Sequence, residues 1–344
     1  MKKILHITEA FGGGVQTALY SYLQSSRTEP YQHFLFARAR QEDMTREGGE
    51  DGFSHVQWSQ GNVLQFMMDA NRFIDQVQPD IVHLHSSKAG FLGRFLRLGK
   101  AQLVYTPHCY SFERKDITPL ERAVYRTLEK LLIRRIDVVA GCSQRECDLA
   151  LQLGAKKSEL LNNFVTYTDI ASSPSIDTDT VKITILGRVA PQKDPQFLID
   201  TLTELKHLPV ARKYTINWIG GGDNELEAAL KKCGINVTGM LPRDEVMIRL
   251  KESDLYLHTA AWEGMPLTIL EASKLHVPMV IRSIGATENL NYPFLAKTSV
   301  EMAKQIAHCI NNYDEIDFKR YSQEVNHSFS CLLYTSPSPR DTPI

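Results

Sequence analysis

The stretch KKILHITEAFGGGVQTALYSYLQ (2–24) decides how the chain is read. Its first seven residues form a short apolar run, the glycines of FGGGV (11–15) break it, and ALYSYLQ is amphipathic, so the order is strand, turn, helix. The unit recurs. Strand-like runs QHFLFAR (32–38), DIVHLH (80–85), QLVYTPH (102–108) and IDVVAGCS (136–143) alternate with helical patterns near 62–77, 87–98, 117–134 and 144–152. Such alternation predicts a parallel sheet covered on both faces. ASSPSIDTDT (171–180) is too poor in apolar residues to be a core element and reads as a linker. VKITILGR (181–188) then restarts the pattern, followed by YTINWIGGG (214–222), DLYLHT (254–259) and PMVIR (278–282). The expected fold class is therefore α/β, with two doubly wound Rossmann-like domains facing across a cleft. The first spans 1–165, the linker 166–180, the second 181–312, and a C-terminal helical segment 313–330. Ligands of such sheets gather outside the carboxyl ends of the strands, so the cleft is the expected site.

Composition narrows the function. With 344 residues, 39 Lys and Arg against 40 Asp and Glu, a net charge of −1 and 43% apolar residues, the chain is an ordinary globular protein and not a polyanion-coating one. No nucleic-acid partner is expected. No apolar run approaches bilayer length, and Met1-Lys2-Lys3 leads into a strand and not a signal-peptide core, so the chain reads as unexported and cytoplasmic. The six cysteines are scattered without a CxxC pair, which fits free thiols in a reducing compartment. The end, CLLYTSPSPRDTPI (331–344), cannot form a helix because proline recurs; it resembles a translated cloning adapter, the alternative being a native disordered tail.

Two constellations carry chemistry. In EGMPLTILEAS (263–273), Pro266 suits a first helical turn, so Gly264, Met265 and Leu267 lie where unpaired backbone N–H groups attract a phosphate. Glu263 and Glu271 flank that anion site and are suited to accept from hydroxyls, one of a sugar and one of a ribose. The bland alternative is a capping carboxylate and a solvated helix face. In ILGRVAPQKDP (185–195), Arg188 leaves an apolar strand and Lys193 precedes Asp194-Pro195, a plausible cap and first helical residue. An Arg and a Lys there can compensate the charge growing on a diphosphate leaving group without a metal; the alternative is an exposed loop with two ordinary charges.

Taken in order, FGGGV, GRVAPQKDP, WIGGGD, VTGMLPRDEV and EGMPLTILEA resemble the family 4 glycosyltransferases of the two-Rossmann (B-type) fold that build bacterial surface or capsular polysaccharide, over about residues 1–330. The resemblance implies retaining, metal-independent transfer of a hexosyl group from a nucleoside diphosphate sugar, UDP-linked by preference, to a glycan or lipid-linked acceptor, with no further cofactor. It implies that Arg188 and Lys193 hold the diphosphate, Glu271 the ribose, and Glu263 with the Gly264–Leu267 amides the donor sugar. The VTGMLP loop (237–242) would sit against the base, and His108 would contact the donor sugar or the acceptor. Without the resemblance His108 is equally a structural histidine at a strand end. A nucleotide-sugar 2-epimerase of the same architecture and an inactive nucleotide-sugar-binding scaffold are the competing readings.

Gly12, Gly13 and Gly14 allow close approach to an anion, but they do not form GxGxxG, so a nicotinamide dinucleotide is not favoured. His83 and His85 share a strand face, yet no third ligand stands at metal-binding spacing and no metal is assigned. Where relatives carry Asn-Gly, this chain has Asn162-Asn163-Phe164, and its closing helix is read as cut short before residue 331. Finally, Arg122, Arg126, Lys130 and Arg134 recur opposite Leu120, Val124, Leu128 and Leu131, and residues 114–135 hold seven basic against three acidic side chains. That helix reads either as a peripheral contact with an anionic membrane or as a solvated face.

Overall fold

In the computed structural model the described residues are 1–26, 30–38, 52–165 and 179–329, and they fall into two compact units, 1–165 and 179–329. The expected linker up to residue 178 and the tail 331–344 lie outside them.

The first unit is a seven-stranded sheet in which every pair is parallel. Its strands are β1 (Lys2–Thr8), β2 (Tyr31–Arg38), β3 (His55–Ser59), β4 (Ile81–His85), β5 (Gln102–Thr106), β6 (Val138–Gly141) and β7 (Ser158–Leu160), in the order β3-β2-β1-β4-β5-β6-β7. Helices α1 (Gly13–Ser25), α2 (Val63–Val77), α3 (Ser86–Gly93), α4 (Pro119–Leu132) and α5 (Gln144–Leu153) connect them. Local chemistry sets several boundaries. Asn62 caps α2 through the Gln65 amide, Thr118 and Glu121 form a reciprocal capping box on α4, and Ser143 caps α5, which ends at left-handed Gly154. The helix expected over 87–98 stops at Gly93, where the Phe95 and Leu96 amides switch to the Leu92 and Gly93 carbonyls, and Arg94 forms a buried ion pair with Glu129 at 2.5 Å.

The two faces of this sheet differ. Leu5, Ile7, Phe36, Val82, Leu84, Leu103 and Tyr105 point into an apolar core with Phe66, Phe73 and Ile74 of α2. Alternate residues His6, His33, His83 and His85 point to the other face, where ring contacts join His83 and His85 to Tyr22 of α1.

The second unit repeats the plan with six strands: β8 (Thr180–Leu186), β9 (Lys213–Ile219), β10 (Asn236–Val237), β11 (Leu255–His258), β12 (Met279–Arg282) and β13 (Leu295–Ala296), all parallel, in the order β10-β9-β8-β11-β12-β13. Its helices are α6 (Pro195–Leu205), α7 (Asn224–Lys232), α8 (Arg243–Lys251), α9 (Leu267–Lys274), α10 (Ser299–Asn311) and α11 (Phe318–Ser328). α11 lies against α9: Ser273 Oγ donates to the Ser322 carbonyl at 2.8 Å and Asn326 Nδ2 to the Ser273 carbonyl at 3.1 Å. In each unit the strand order reverses beside the first strand, between β1 and β4 and between β8 and β11, which is where doubly wound sheets open a binding crevice.

Candidate functional site

In the second unit charged side chains collect at the carboxyl ends of β8 and β11. β8 leads through Gly187-Arg188-Val189 into a tight turn, Pro191–Lys193, and α6 starts at Pro195 with Asp194 as its cap, accepting from the Phe197 amide at 3.2 Å, as the sequence predicts. Glycines are required here for closeness. A Cβ on Gly187 would stand 2.7 Å from Lys193 Cε, and one on Gly220 or Gly222 would come within 2.2 Å of a carbonyl oxygen of Gly187 or Val189. The loops after β8 and β9 thus pack backbone to backbone, and Arg188 is left exposed, with no ion pair among the described residues.

Lys193 folds toward β11. Its Nζ lies 2.7 Å from Glu263 Oε1, and its carbonyl accepts from Thr259 Oγ1 at 2.6 Å. The Ala261 amide donates to Gln192 O at 2.9 Å and Gln192 Nε2 to the Trp262 carbonyl at 3.2 Å, so the two loops are stitched into one surface. α9 begins one residue later than expected, at Leu267. Pro266 is its cap residue, because its ψ of 112° is still extended, so Gly264 and Met265 belong to the buried loop and not to the helix. The leading amides of α9, at Leu267 and Thr268, have no carbonyl within the helix to donate to, and no side chain caps them. Glu271 is 1% exposed; Arg243 at the start of α8 is ion-paired to its Oε1, and its Oε2 is buried without a partner. An unmet carboxylate oxygen of this kind is a receptor for a hydroxyl. The loop at 237–242 is ordered by Thr238 Oγ1, which accepts from Gly220 N at 3.2 Å and donates to Gly239 O at 2.9 Å, while Met240 is exposed.

Sequence reasoning missed Arg243, His258 and Arg282. Arg282 pairs with Asp194 at 2.6 Å, donates to Thr259 O at 2.9 Å and lies over the Phe197 ring, bracing the Lys193 loop. His258, at the end of β11, is buried with neither ring nitrogen bonded; burial, then the positive charges of Lys193 and Arg282, holds its pKa well below the ordinary value. It stays neutral. A charged or imidazole residue terminating an apolar strand, as in PMVIR and DLYLH, was the available signal.

In the first unit Gly12 is extended and Gly13 opens α1 at φ +56, a conformation glycine favours; the helix start carries no side-chain cap. His108 follows β5 in a turn where His108 and Cys109 both have positive φ, 51° and 86°. The buried Glu146 carboxylate holds this turn, accepting from Cys109 N at 2.5 Å and Cys142 N at 2.9 Å. His108 is half-buried, and its Nε2 lies 3.1 Å from His85 Nδ1. His85 Nε2 lies 3.0 Å from His6 Nδ1, His6 Nε2 2.9 Å from His33 Nδ1, and His33 Nε2 2.7 Å from Ser26 Oγ. His83 bonds Thr106 Oγ1 at 2.8 Å. Burial lowers the pKa of every ring, to about 4 in His33 and His108 and about 3 in His83. The third imidazole that the sequence lacked beside His83 and His85 is His6, one strand over, with ligand atoms of the three within 4.8 Å. Asn163 is buried, its Oδ1 accepting from Tyr22 O–H at 3.3 Å. α4 turns its apolar stripe outward: Leu120 is 75% and Leu131 70% exposed, while Arg122 donates to Arg114 O at 3.0 Å and Arg126 lies over the Phe112 ring.

Two family models match the chain, one in each unit. A glycosyl transferase 4-like domain matches residues 13–161 and the glycosyl transferases group 1 model matches residues 180–312. The chain belongs to the family 4 glycosyltransferases. It is 22% identical over 302 residues to an uncharacterized 41.2 kDa protein of the cps region of Klebsiella pneumoniae, covering 82% of this chain and 81% of that one. It is 28% identical over 262 residues to the UDP-Gal:alpha-D-GlcNAc-diphosphoundecaprenol alpha-1,3-galactosyltransferase of Escherichia coli, covering 66% of this chain and 64% of that one. Its fold matches the Anabaena HepE structure with UDP and glucose at a TM-score of 0.75, with 17% identity and 96% and 95% of the two chains covered.

Proposed function

We propose that the protein is a retaining hexosyltransferase that moves a sugar from a UDP-sugar to a lipid-linked glycan acceptor in surface polysaccharide assembly. The observation that carries this reading is the joined loop pair at β8 and β11, where Lys193 reaches Glu263 just before the uncapped start of α9, Arg188 stands exposed on the same loop after β8, and Glu271 keeps an unmet oxygen. The diphosphate takes the two cations and the α9 amides, and the ribose takes Glu271 Oε2. The sugar hydroxyls take Glu263, which Lys193 holds in place, and the neighbouring backbone. In the transfer the bond from the anomeric carbon to the β-phosphate breaks and the acceptor oxygen bonds that carbon on the same face. The acceptor proton passes to the departing phosphate oxygen. The protein's part is orientation and stabilisation of growing charge, with no metal required because two side-chain cations supply it. The Escherichia coli relative's name, with UDP-Gal as donor and a diphosphoundecaprenol-linked acceptor, supports both substrate classes. The lipid-linked acceptor is supported also by α4, whose exposed Leu120, Val124, Leu128 and Leu131, with Lys130, Arg134 and Arg135 nearby, suit docking on an anionic membrane.

A thermal-shift screen of nucleoside diphosphates and their sugars, with and without EDTA, tests the reading. A ligand at a hundred times its Kd adds about 2.7 kcal/mol of stability. UDP and one UDP-sugar are expected to raise the melting temperature equally with EDTA present. No shift with any nucleoside diphosphate contradicts it.

A further inference from the structure

The histidines of the first unit form a row with a direction. Each link joins the Nδ1 of one ring to the Nε2 of the next, from His33 through His6 and His85 to His108, and the far end of the row is Ser26 Oγ. A neutral imidazole has one donor and one acceptor nitrogen, so fixing the proton at one end fixes it at every ring. All four rings sit where burial disfavours the charged form.

Ser26 supplies the fixed end. It is the C-cap of α1, its amide donating to Tyr22 O at 3.2 Å, a carbonyl that also accepts from Ser25 Oγ at 2.9 Å. Its hydroxyl lies 2.9 Å from Tyr22 O and 3.2 Å from Leu23 O, and its single hydrogen goes to these carbonyls. The Ser26 oxygen is then an acceptor, and His33 donates to it from Nε2. His33 Nδ1 accepts from His6 Nε2, His6 Nδ1 from His85 Nε2, and His85 Nδ1 from His108 Nε2. The row ends at His108 Nδ1, which bonds nothing among the described residues.

We propose that Ser26, through the row His33, His6 and His85, sets the tautomer of His108, keeping Nε2 protonated and Nδ1 a bare lone pair that accepts a hydrogen bond from a sugar hydroxyl. Ser26 and the three inner rings are positioning residues; His108 is the group that meets substrate. The sugar rests on the function proposed above, whereas the tautomer is a property of the free protein. The strained turn at His108, held by Glu146, aims the ring so that its Nε2 remains on the row.

Long-range proton–nitrogen NMR of histidine-labelled protein without donor reads which ring nitrogen carries the proton, with His108→Gln assigning the signal. The expected result is a protonated Nε2 and a bare Nδ1 at His108. Ser26→Ala removes the terminal acceptor, and reversal of the row then moves the His108 proton toward Nδ1; Ser26→Thr restores the original pattern. A protonated Nδ1 at His108 in the unaltered protein overturns the proposal, as does an unchanged His108 signal in folded Ser26→Ala. If Ser26→Ala does not fold, the unaltered protein alone decides. Elemental analysis finding a transition metal on His6, His83 and His85 also overturns it, because His6 Nδ1 and His85 Nε2 would then face the ion and not each other. Loss of glycosyl transfer with the tautomer intact would strike the function and leave this inference standing.

Discussion

At the ends of β1 and β4 the first unit buries imidazoles that satisfy one another, whereas at the ends of β8 and β11 the second unit gathers ions: Lys193 with Glu263, Arg243 with Glu271 and Arg282 with Asp194. The topology is the same, and the chemistry differs. Neutral rings leave no net charge to desolvate, so the first site is closed on itself except at His108. The second site is left incomplete, since Arg188 has no ion-pair partner among the described residues and Glu271 Oε2 accepts nothing. These pairs are partly exposed and add little net stability, so they are not what holds the fold together.

The sharpest break in this comparison is Lys193→Ala. The charge that Lys193 meets grows in the transition state, so kcat should fall by roughly 10² to 10³ with a modest change in KM, as for loss of one such stabilising donor. Steady-state transfer assays check this, and an unchanged kcat rejects the role.

Acid separates the two units next. A histidine whose folded pKa lies below 6.5 stays unprotonated in the fold while the unfolded chain takes up the proton, so stability is full above about pH 7 and declines as pH falls from 6.5 toward 4. Each such ring removes up to about 1.4 kcal/mol per pH unit over that window. The first unit holds five of these rings and the second only His258 among those with a resolved shift. Urea unfolding followed through Trp58 in the first unit and through Trp218 and Trp262 in the second should show the steeper decline in the first; equal slopes contradict the assignment.

Substitution at α4 has the smallest effect on folding. Leu120→Ser with Leu131→Ser should change stability by less than about 0.5 kcal/mol, because both side chains are already in water. The same pair should lose co-sedimentation with phosphatidylglycerol vesicles. Retained binding removes α4 from the docking surface.

The sheet plan was legible because its central strands are nearly continuous apolar runs, as in KITIL and HFLFA. The edge strands β3 and β7 and the two-residue β10 and β13 were not, since half-exposed or very short edges carry no such run. In the second unit the positions of Arg188, Lys193, Glu263 and Glu271 around strand ends and helix starts were readable from spacing. Arg243 and Arg282 were not, because their partners stand 28 and 88 residues away. The imidazole row escaped for the same reason: His83 and His85 share a face in sequence, but only the parallel register that sets His6 beside His83 brings the other rings to them. The outward stripe of α4 reversed the usual rule, its arginines being held by Arg114 O and the Phe112 ring on the protein side.

The most direct test is calorimetric binding of UDP and of uridine to the unaltered protein and to Arg188→Ala/Lys193→Ala. The account predicts that the double variant loses UDP affinity by about 10²-fold or more, a change of about 2.8 kcal/mol at 1.4 kcal/mol per tenfold, while uridine affinity changes less than threefold. Equal losses for both ligands, or full UDP affinity in the double variant, would contradict a diphosphate held by these two cations.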